Sequence, residues 1–214
     1  MRIVVGSSSR WRQQIAKTQL GIDVELMPPD IDEKQVAHKF QPKTPQEHTQ
    51  VISNAKLDFL LSKLESDTSR GENPVIVICC DTVVYYNNNI LEKPIDKNEC
   101  LETIKSWGIK NARIGVYTAI SVGAISGSQN SIQKVTLSEV HKSDVVMIRD
   151  LTNDDITFYF NNSNCIDSSG SLIVETLMEM KAAIIDGDQT VIEGLPVAPC
   201  KRMIQELESK LGNK

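Results

Sequence analysis

The sequence predicts an α/β fold in which strands and helices alternate along the chain. Short β-branched runs, such as residues 3–5, end at glycine or polar residues, and several are followed by stretches with helical spacing of apolar side chains. Residues 75–80 are apolar on both faces, as expected for a central strand that helices cover on two sides. No repeat or obvious linker interrupts the 214 residues. We therefore expect one domain over residues 1–214, built of two lobes that share one sheet.

The hydrophobic pattern and the helix signals place the individual elements. In chain order they are strand 3–5, helix 10–20, strand 22–27, a loop over 28–33 and a long helix that begins at residue 45. Further along come strand 75–80, an apolar segment 83–86 before an asparagine turn, a helix from 96 to 107, a hairpin of strands 112–123 and 134–148, and helices over 152–160 and 199–211. Thr44 and Glu47 have the spacing of a capping box. The prolines at positions 28 and 29 favour a loop because they remove hydrogen-bond donors.

Composition and charge narrow the class of protein. Twenty-three basic and 28 acidic residues give a net charge of −5, which argues against a broad basic face for nucleic acid. The five cysteines are odd in number and spread along the chain, so we expect buried, reduced thiols rather than disulfides or a zinc site. No secretory signal is apparent, and no run approaches the roughly 20 apolar residues of a membrane span. We therefore expect a cytoplasmic protein that binds neither a nucleic acid polymer nor a membrane.

The first candidate site is the loop that joins the first strand to the first helix. Ser7 and Ser9 supply hydroxyls and amides there, and Arg12 adds a guanidinium group in the first helical turn. Groups of this kind at a helix N-terminus converge on an anion, and phosphate is the most suitable one. The loop lacks the lysine of a P-loop and the glycine pattern of a dinucleotide fold. A capped helix with a solvated arginine explains the same residues without a ligand.

Acidic and basic side chains elsewhere could meet in one crevice. Asp81 follows the apolar run 75–80, and a carboxylate at that place needs a hydrogen-bond network or a metal. Glu33 follows two prolines, Lys56 lies between apolar residues in the long helix that begins at residue 45, and Lys93 comes after the asparagine turn. Each also has an ordinary explanation as a turn cap, a solvated loop residue or a side chain that reaches solvent. Together they offer cations for phosphates and two acids for Mg²⁺, without a nucleophilic Ser-His pair.

The order and spacing of these residues resemble the Maf family of nucleoside triphosphate pyrophosphatases, the septum-formation-inhibitor-like proteins, along nearly the whole chain. The matching segments are Val5-Gly6-Ser7-Ser8-Ser9-Arg10-Trp11-Arg12, Ile31-Asp32-Glu33, Ala55-Lys56, Asp81-Thr82-Val83-Val84 with Glu92-Lys93-Pro94, Tyr117-Thr118, Ser169-Gly170 and Gly194-Leu195-Pro196. Any one of these matches is common in proteins. Their occurrence together, in register, is specific.

The resemblance implies a two-lobed fold similar to that of inosine triphosphatases, with an extended mixed β-sheet flanked by helices and a cleft between the lobes for the substrate. It implies hydrolysis of the α–β phosphoanhydride of (d)NTPs or modified nucleotides to a nucleoside monophosphate and pyrophosphate, a house-cleaning role in nucleotide metabolism. Mg²⁺, or another divalent cation such as Mn²⁺, is the implied cofactor, with Glu33 and Asp81 as ligands. The implied catalytic residues are Asp81, Glu33 and Lys93, and the implied substrate-binding residues are Ser7, Ser9, Arg12, Lys56, Thr82 and Glu175.

Departures from the family pattern leave part of the function open. Arg10 stands where the family often has Pro, Ser168 where many members have Lys, and Glu175 where many have Gln. Trp11 is similar to the branch linked to 7-methyl-GTP, whereas the pyrimidine-triphosphate branch prefers Arg there. The preferred base and the role of Asp81, as base or metal ligand, stay open. The alternatives to an enzyme are a nucleotide-binding regulator of cell division with little activity, and an interaction domain with dispersed charges. The resemblance also implies a homodimer.

Overall fold

The computed structural model describes residues 2–67, 71, 73–127 and 132–212, where strands and helices alternate as the sequence predicts. The helices are α1 (Arg10–Gln19), α2 (Glu33–Phe40), α3 (Pro45–Ser66), α4 (Lys97–Trp107), α5 (Asn153–Asn162), α6 (Val174–Glu179), α7 (Gln189–Ile192) and α8 (Val197–Gly212). The strands are β1 (Arg2–Gly6), β2 (Glu25–Leu26), β3 (Val75–Tyr86), β4 (Asn89–Leu91), β5 (Arg113–Ser126), β6 (Gln133–Met147) and β7 (Ala183–Asp186). In this part of the chain, every helix is too short or too polar to cross a bilayer.

Backbone contacts divide the chain into two compact units. The first contains Met1–Asp81, Thr118–His141 and Glu193–Lys214, and the second contains Thr82–Tyr117 and Lys142–Ile192. Both parallel and antiparallel strand pairs occur, so the predicted mixed sheet flanked by helices is confirmed. The description of the units as lobes of one domain, with a cleft between them, stays a prediction.

In the first unit, strand β1 lies between β2 and β3 and runs parallel to both. Alternate residues of β1 point to opposite faces, as the two-residue period of a strand requires. Ile3 and Val5 pack with residues of α1 and α8, whereas Val4 packs against leucines of α3. The strand is therefore covered on both faces by helices, which explains its continuous apolar sequence.

Two glycines let helix α3 approach the sheet of the first unit closely. A Cβ atom on Gly6 would lie 2.6 Å from Leu60 Cδ1, and one on Gly123 would lie 2.9 Å from Leu61 Cδ1. Both distances are shorter than a van der Waals contact between carbon atoms. A larger residue at either position would have to displace these leucine side chains, so the glycines allow the leucines of α3 to pack directly on β1 and β5.

The second unit has its own core, centred on Trp107 and Tyr159. Both side chains are 0% exposed, and their rings meet edge to face with centroids 5.9 Å apart. Around them pack Ile104, Val116 and Leu177. Strand β4 pairs with β3 and strand β7 with β6, both in the antiparallel direction.

Several local predictions differ from the structure. Asp81 lies inside β3 and not at the end of a strand, because the strand continues to Tyr86. The second strand has two residues instead of six, and the predicted loop ends in helix α2, which begins at Glu33 with Asp32 as its N-cap. Thr44 caps α3 as predicted, but the Glu47 carboxylate accepts from the amide of Lys43 instead of closing a capping box.

Candidate active site

Three predicted site residues of the first unit form one cluster of ion pairs. Lys56 Nζ lies 2.8 Å from Asp81 Oδ1 and 2.9 Å from Glu33 Oε1. The side chains of Lys56 and Asp81 are 7% and 9% exposed, whereas that of Glu33 is 53% exposed. The ammonium group thus joins a buried acid on β3 to a solvated acid at the start of α2.

The burial of this pair explains how a carboxylate is tolerated in the middle of β3. Burying a single charge is costly, and an opposite charge with good hydrogen-bond geometry offsets much of that cost. Lys56 comes from α3, which lies close to the sheet at Gly6 and Gly123, so its side chain reaches Asp81 directly. Lys56 therefore does not extend into solvent as the ordinary explanation assumed.

The serine loop, residues 7–9 between β1 and α1, lies next to this cluster in the sheet of the first unit. Gly6 is the register partner of Cys79, two residues before Asp81, so the loop leaves β1 beside the position of Asp81. Ser9 is the N-cap of α1, and its hydroxyl accepts from the amide of Arg12 at 3.5 Å. The buried hydroxyl of Ser7 accepts from the amide of Ser9 at 3.1 Å. The loop thereby places hydroxyl groups and a helix N-terminus where an anion would be stabilised.

Arg12 is held by two backbone carbonyl groups. Its Nε donates to Gly194 O at 2.9 Å, and Nη1 donates to Cys80 O at 3.1 Å. The guanidinium group thus connects α1 to the residue before Asp81 and to the turn that precedes α8. It lies at the predicted site, but two of its donors already serve the protein itself.

Gly194 belongs to the site although the sequence predicted no role for it there. It is buried, with φ of +88°, a conformation that glycine adopts at little cost. Its carbonyl oxygen holds Arg12, 182 positions earlier in the chain. The motif Gly194-Leu195-Pro196 could have indicated this residue, because it matches the Maf family pattern although no function was assigned to it.

The other three predicted site residues belong to the second unit. Thr82 follows Asp81 in β3, and Glu175 lies in the first turn of α6. Lys93 is exposed, and it makes no hydrogen bond or ion pair with another residue that the structure describes. The amide of Gly170 donates to Glu92 O at 2.9 Å, which ties the loop of Lys93 to the turns before α6.

The cysteines beside the site are unsuited to nucleophilic catalysis. Burial raises the pKa of the Cys80 thiol to about 11, and burial likewise raises the pKa of Cys79. Because the thiolate is the reactive form, both groups stay neutral and unreactive near pH 7. The predicted reduced, buried thiols are confirmed for all five cysteines.

The donor set of the cluster suits magnesium better than a metal that needs a complete protein cage. Among the residues that the structure describes, no group of three or more His, Cys, Asp or Glu side chains could hold a metal ion. Magnesium is commonly held by one or two carboxylates together with water and substrate phosphates. Glu33 and Asp81 provide two carboxylates, both within hydrogen-bond distance of the same ammonium group. The residues present therefore fit the expected ion.

Comparisons with known proteins find relatives that are named nucleotide pyrophosphatases. A 7-methyl-GTP pyrophosphatase of Dictyostelium discoideum is 26% identical, with 96% of each chain aligned. A dTTP/UTP pyrophosphatase of Lachnoclostridium phytofermentans is 27% identical, with 97% of this chain and 94% of the relative aligned. A solved nucleoside-triphosphatase/dITP/XTP pyrophosphatase of Mycobacterium abscessus aligns over 85% of this chain and 94% of its own with a TM-score of 0.32 and 11% identity, which is too remote to support an inference.

The family comparison covers nearly the whole chain. The sequence pattern of the family described as Maf-like protein matches residues 2–207. This span includes the serine loop, the acids and lysines of both units and the glycine that holds Arg12. The motifs that suggested the resemblance thus all lie within the matched residues 2–207, and the chain belongs to the Maf family.

Proposed function

We propose that this chain is a nucleoside triphosphate pyrophosphatase, which hydrolyses the α–β phosphoanhydride to a nucleoside monophosphate and pyrophosphate. The observation that carries the proposal is the cluster of Lys56, Asp81 and Glu33 beside the serine loop. It combines two acids, a buried cation and a helix N-terminus, which are the groups that such a reaction requires. The names of the relatives with 26% and 27% identity, which are nucleotide pyrophosphatases, support the same activity.

The reaction needs a base for water and cations for the phosphates. Water forms a new bond to phosphorus while the bridging P–O bond breaks, and one proton leaves the water. Asp81 or Glu33 would accept that proton, and Lys56 would stabilise the negative charge that develops on the phosphate oxygens. Mg²⁺, held by Glu33 and Asp81 together with the substrate, would supply Lewis-acid polarisation of a phosphoryl oxygen.

The remaining predicted residues contribute to substrate binding in this proposal. The hydroxyls of Ser7 and Ser9 and the start of α1 would contact phosphate oxygens, and the held guanidinium of Arg12 would add positive potential. Lys93, Thr82 and Glu175 enter through the family motifs, with Lys93 as a further phosphate cation. A cytoplasmic homodimer also stays a prediction.

Pyrophosphate release across a panel of nucleotides tests the function. The panel contains 7-methyl-GTP, dTTP, UTP, CTP and the common purine triphosphates, each with Mg²⁺, with Mn²⁺ and with a chelator. We expect one class of nucleotide to be hydrolysed to the monophosphate, and the chelator to abolish turnover. Binding of a triphosphate without release of pyrophosphate would contradict the proposal and support a nucleotide-binding regulator.

Asp81→Asn tests the assignment of the cluster. Loss of one preorganised charged group at the reacting centre costs about 10²–10³ in rate, so we expect pyrophosphate release to fall by that factor. Asp58→Asn is the matched control, because Asp58 is an exposed acid on α3 two residues after Lys56. Near-wild-type turnover of Asp81→Asn would refute the assignment.

A further inference from the structure

A buried cluster of polar side chains joins helix α3 to strands β3 and β5. The Ser53 hydroxyl lies 3.2 Å from Cys79 O and 2.8 Å from Ser121 Oγ, and both serines are 0% exposed. Ser121 donates to Asn54 Oδ1 at 2.7 Å and lies 3.1 Å from Ser138 Oγ. Since a hydroxyl group has one proton, Ser53 shares it between a carbonyl of β3 and a side chain of β5.

The contact between Ser53 and Cys79 runs beside the ion pair of the active site. Ser53 precedes Lys56 by three residues on α3, so both side chains lie on one face of the helix. Cys79 precedes Asp81 by two residues on β3. The spacing is about 4.5 Å along the helix and about 6.6 Å along the strand. The same helix and the same strand are thus joined twice, once through a hydroxyl and once through a salt bridge.

The hydrogen bond from Ser53 restricts sliding of α3 along its axis more sharply than the apolar contacts of α3 do. The leucines of α3 and the close approach at Gly6 and Gly123 determine how near the helix lies to the sheet. Hydrophobic contacts are non-directional, so they define the position of the helix along its axis less sharply than a hydrogen bond does. A hydrogen bond weakens steeply with distance and angle, so the Ser53 contact restricts movement along the helix axis. A buried hydroxyl also costs free energy unless it is bonded, which favours the single arrangement in which the network is complete.

We infer that Ser53 is a positioning residue of the active site. Its hydroxyl, shared between Cys79 O and Ser121 Oγ, sets the register of α3 on β3 that brings Lys56 to Asp81. Ser53 acts through Lys56 and contacts no substrate. The catalytic consequence rests on the proposed function, but the effect on Lys56 can be measured without a nucleotide.

The first experiment measures the accessibility of Lys56 in the full-length protein. Reductive methylation with formaldehyde, followed by mass spectrometry of the peptides, gives a rate for each lysine. We expect methylation of Lys56 to be several-fold faster in Ser53→Ala than in wild type, because the helix loses the contact that holds Lys56 in its ion pairs. Thr49→Val is the matched control, since Thr49 is also 0% exposed and donates to Pro45 O and Gln46 O within its own helix.

The second experiment measures steady-state kinetics of pyrophosphate release in the same variants. A displacement of about 1 Å in a catalytic group can cost about 10²-fold in rate, so we expect kcat of Ser53→Ala to fall 10- to 100-fold with little change in KM. Thr49→Val is expected to keep kcat within about twofold, although both variants lose a buried hydroxyl and melt at lower temperature. Ser121→Ala removes one acceptor of the Ser53 proton and should give an intermediate result, so a poorly folded Ser53→Ala does not end the test.

The outcomes separate the positioning role from the reaction. Equal methylation of Lys56 in wild type, Ser53→Ala and Ser121→Ala would overturn the inference, as would an equal rise in Thr49→Val. A wild-type protein that hydrolyses no triphosphate would refute the proposed function, while the methylation rates would still decide whether Ser53 positions Lys56.

Discussion

Two lysines of the predicted site have opposite environments. The side chain of Lys56, in the first unit, is 7% exposed and forms salt bridges with two acids. Lys93, in the second unit, is exposed and forms no hydrogen bond or salt bridge with another residue that the structure describes. The backbone near Lys93 is nevertheless well anchored. Gly170 donates to Glu92 O, and the indole of Trp107 donates to Gly170 O at 3.0 Å.

The two lysines show two ways in which a protein can position a charged group that binds a polyanion. Lys56 is preorganised by charge, since its acids already hold it in position, and little reorganisation is then needed at the moment of reaction. Lys93 is preorganised only through its backbone, so its side chain must lose conformational freedom when it binds a ligand. Lys56 should therefore contribute to stability as well as to activity, and Lys93 to activity alone.

The largest expected effect comes from removing each cation in turn. Lys56→Met leaves Asp81 buried without its partner, and breaking a buried pair costs about 3–5 kcal/mol, so we expect the free energy of unfolding to fall by that amount. Lys93→Met should leave the free energy of unfolding unchanged. Both variants should lose pyrophosphate release by about 10²-fold or more. Urea denaturation followed by circular dichroism, and pyrophosphate release, measure the two properties.

The contrast between the two lysines would be wrong if Lys56→Met and Lys93→Met changed the free energy of unfolding by the same amount. A large loss of stability in Lys93→Met would mean that Lys93 has a partner that holds it in the folded protein. Unchanged stability in Lys56→Met would mean that the two ion pairs of Lys56 contribute little to folding. Lys17→Met, an exposed lysine in the last turn of α1, is the control for the loss of a surface charge.

Local patterns predicted most of the longer elements and singled out the charged candidate residues, but they did not predict the contacts that organise them. Thr44 was predicted as the start of α3 because capping depends on residues within the first helical turn. The continuation of β3 through Asp81 depends on Lys56, 25 positions earlier, and sequence spacing alone contains no such information. The same holds for the carbonyl groups that hold Arg12. Helix α2 was missed because the prolines before it favoured a loop. It also contains no buried residue, so its sequence carries little of the apolar pattern that marks a packed helix.

A smaller effect is expected from the backbone anchor of the second unit. Trp107→Phe removes the indole donor and leaves the buried Gly170 carbonyl without it. An unsatisfied buried group together with a small cavity costs about 2–3 kcal/mol, so we expect the free energy of unfolding to fall by that amount. Amide hydrogen exchange at Gly170 should also accelerate. Exchange that stays slow would show that the bond to Glu92 holds the loop without the indole.

The smallest expected effect concerns the start of α5, the helix that carries Tyr159. The Tyr159 hydroxyl accepts from the amide of Ile173 at 2.6 Å, so this helix also supports the backbone before Glu175. At its start, the Asp155 carboxylate accepts two bonds from Arg149, at 2.7 and 2.9 Å, and closes a capping box with Thr152. The bonds from Arg149, and then those from Thr152, hold the pKa of Asp155 well below its usual range.

The sign of the pH dependence follows from that lowered pKa. A carboxyl whose pKa is lower in the folded state stabilises the protein above its unfolded pKa of about 4, and the stabilisation is lost as the pH falls further toward the folded value. We expect Asp155→Asn to lose about 1–2 kcal/mol at pH 7 and the difference from wild type to shrink below pH 4. Urea denaturation at pH 7 and pH 3 measures it, with the exposed neighbour Asp154→Asn as control. A gap that stays constant over this range would show that the helix start does not depend on the charge of Asp155.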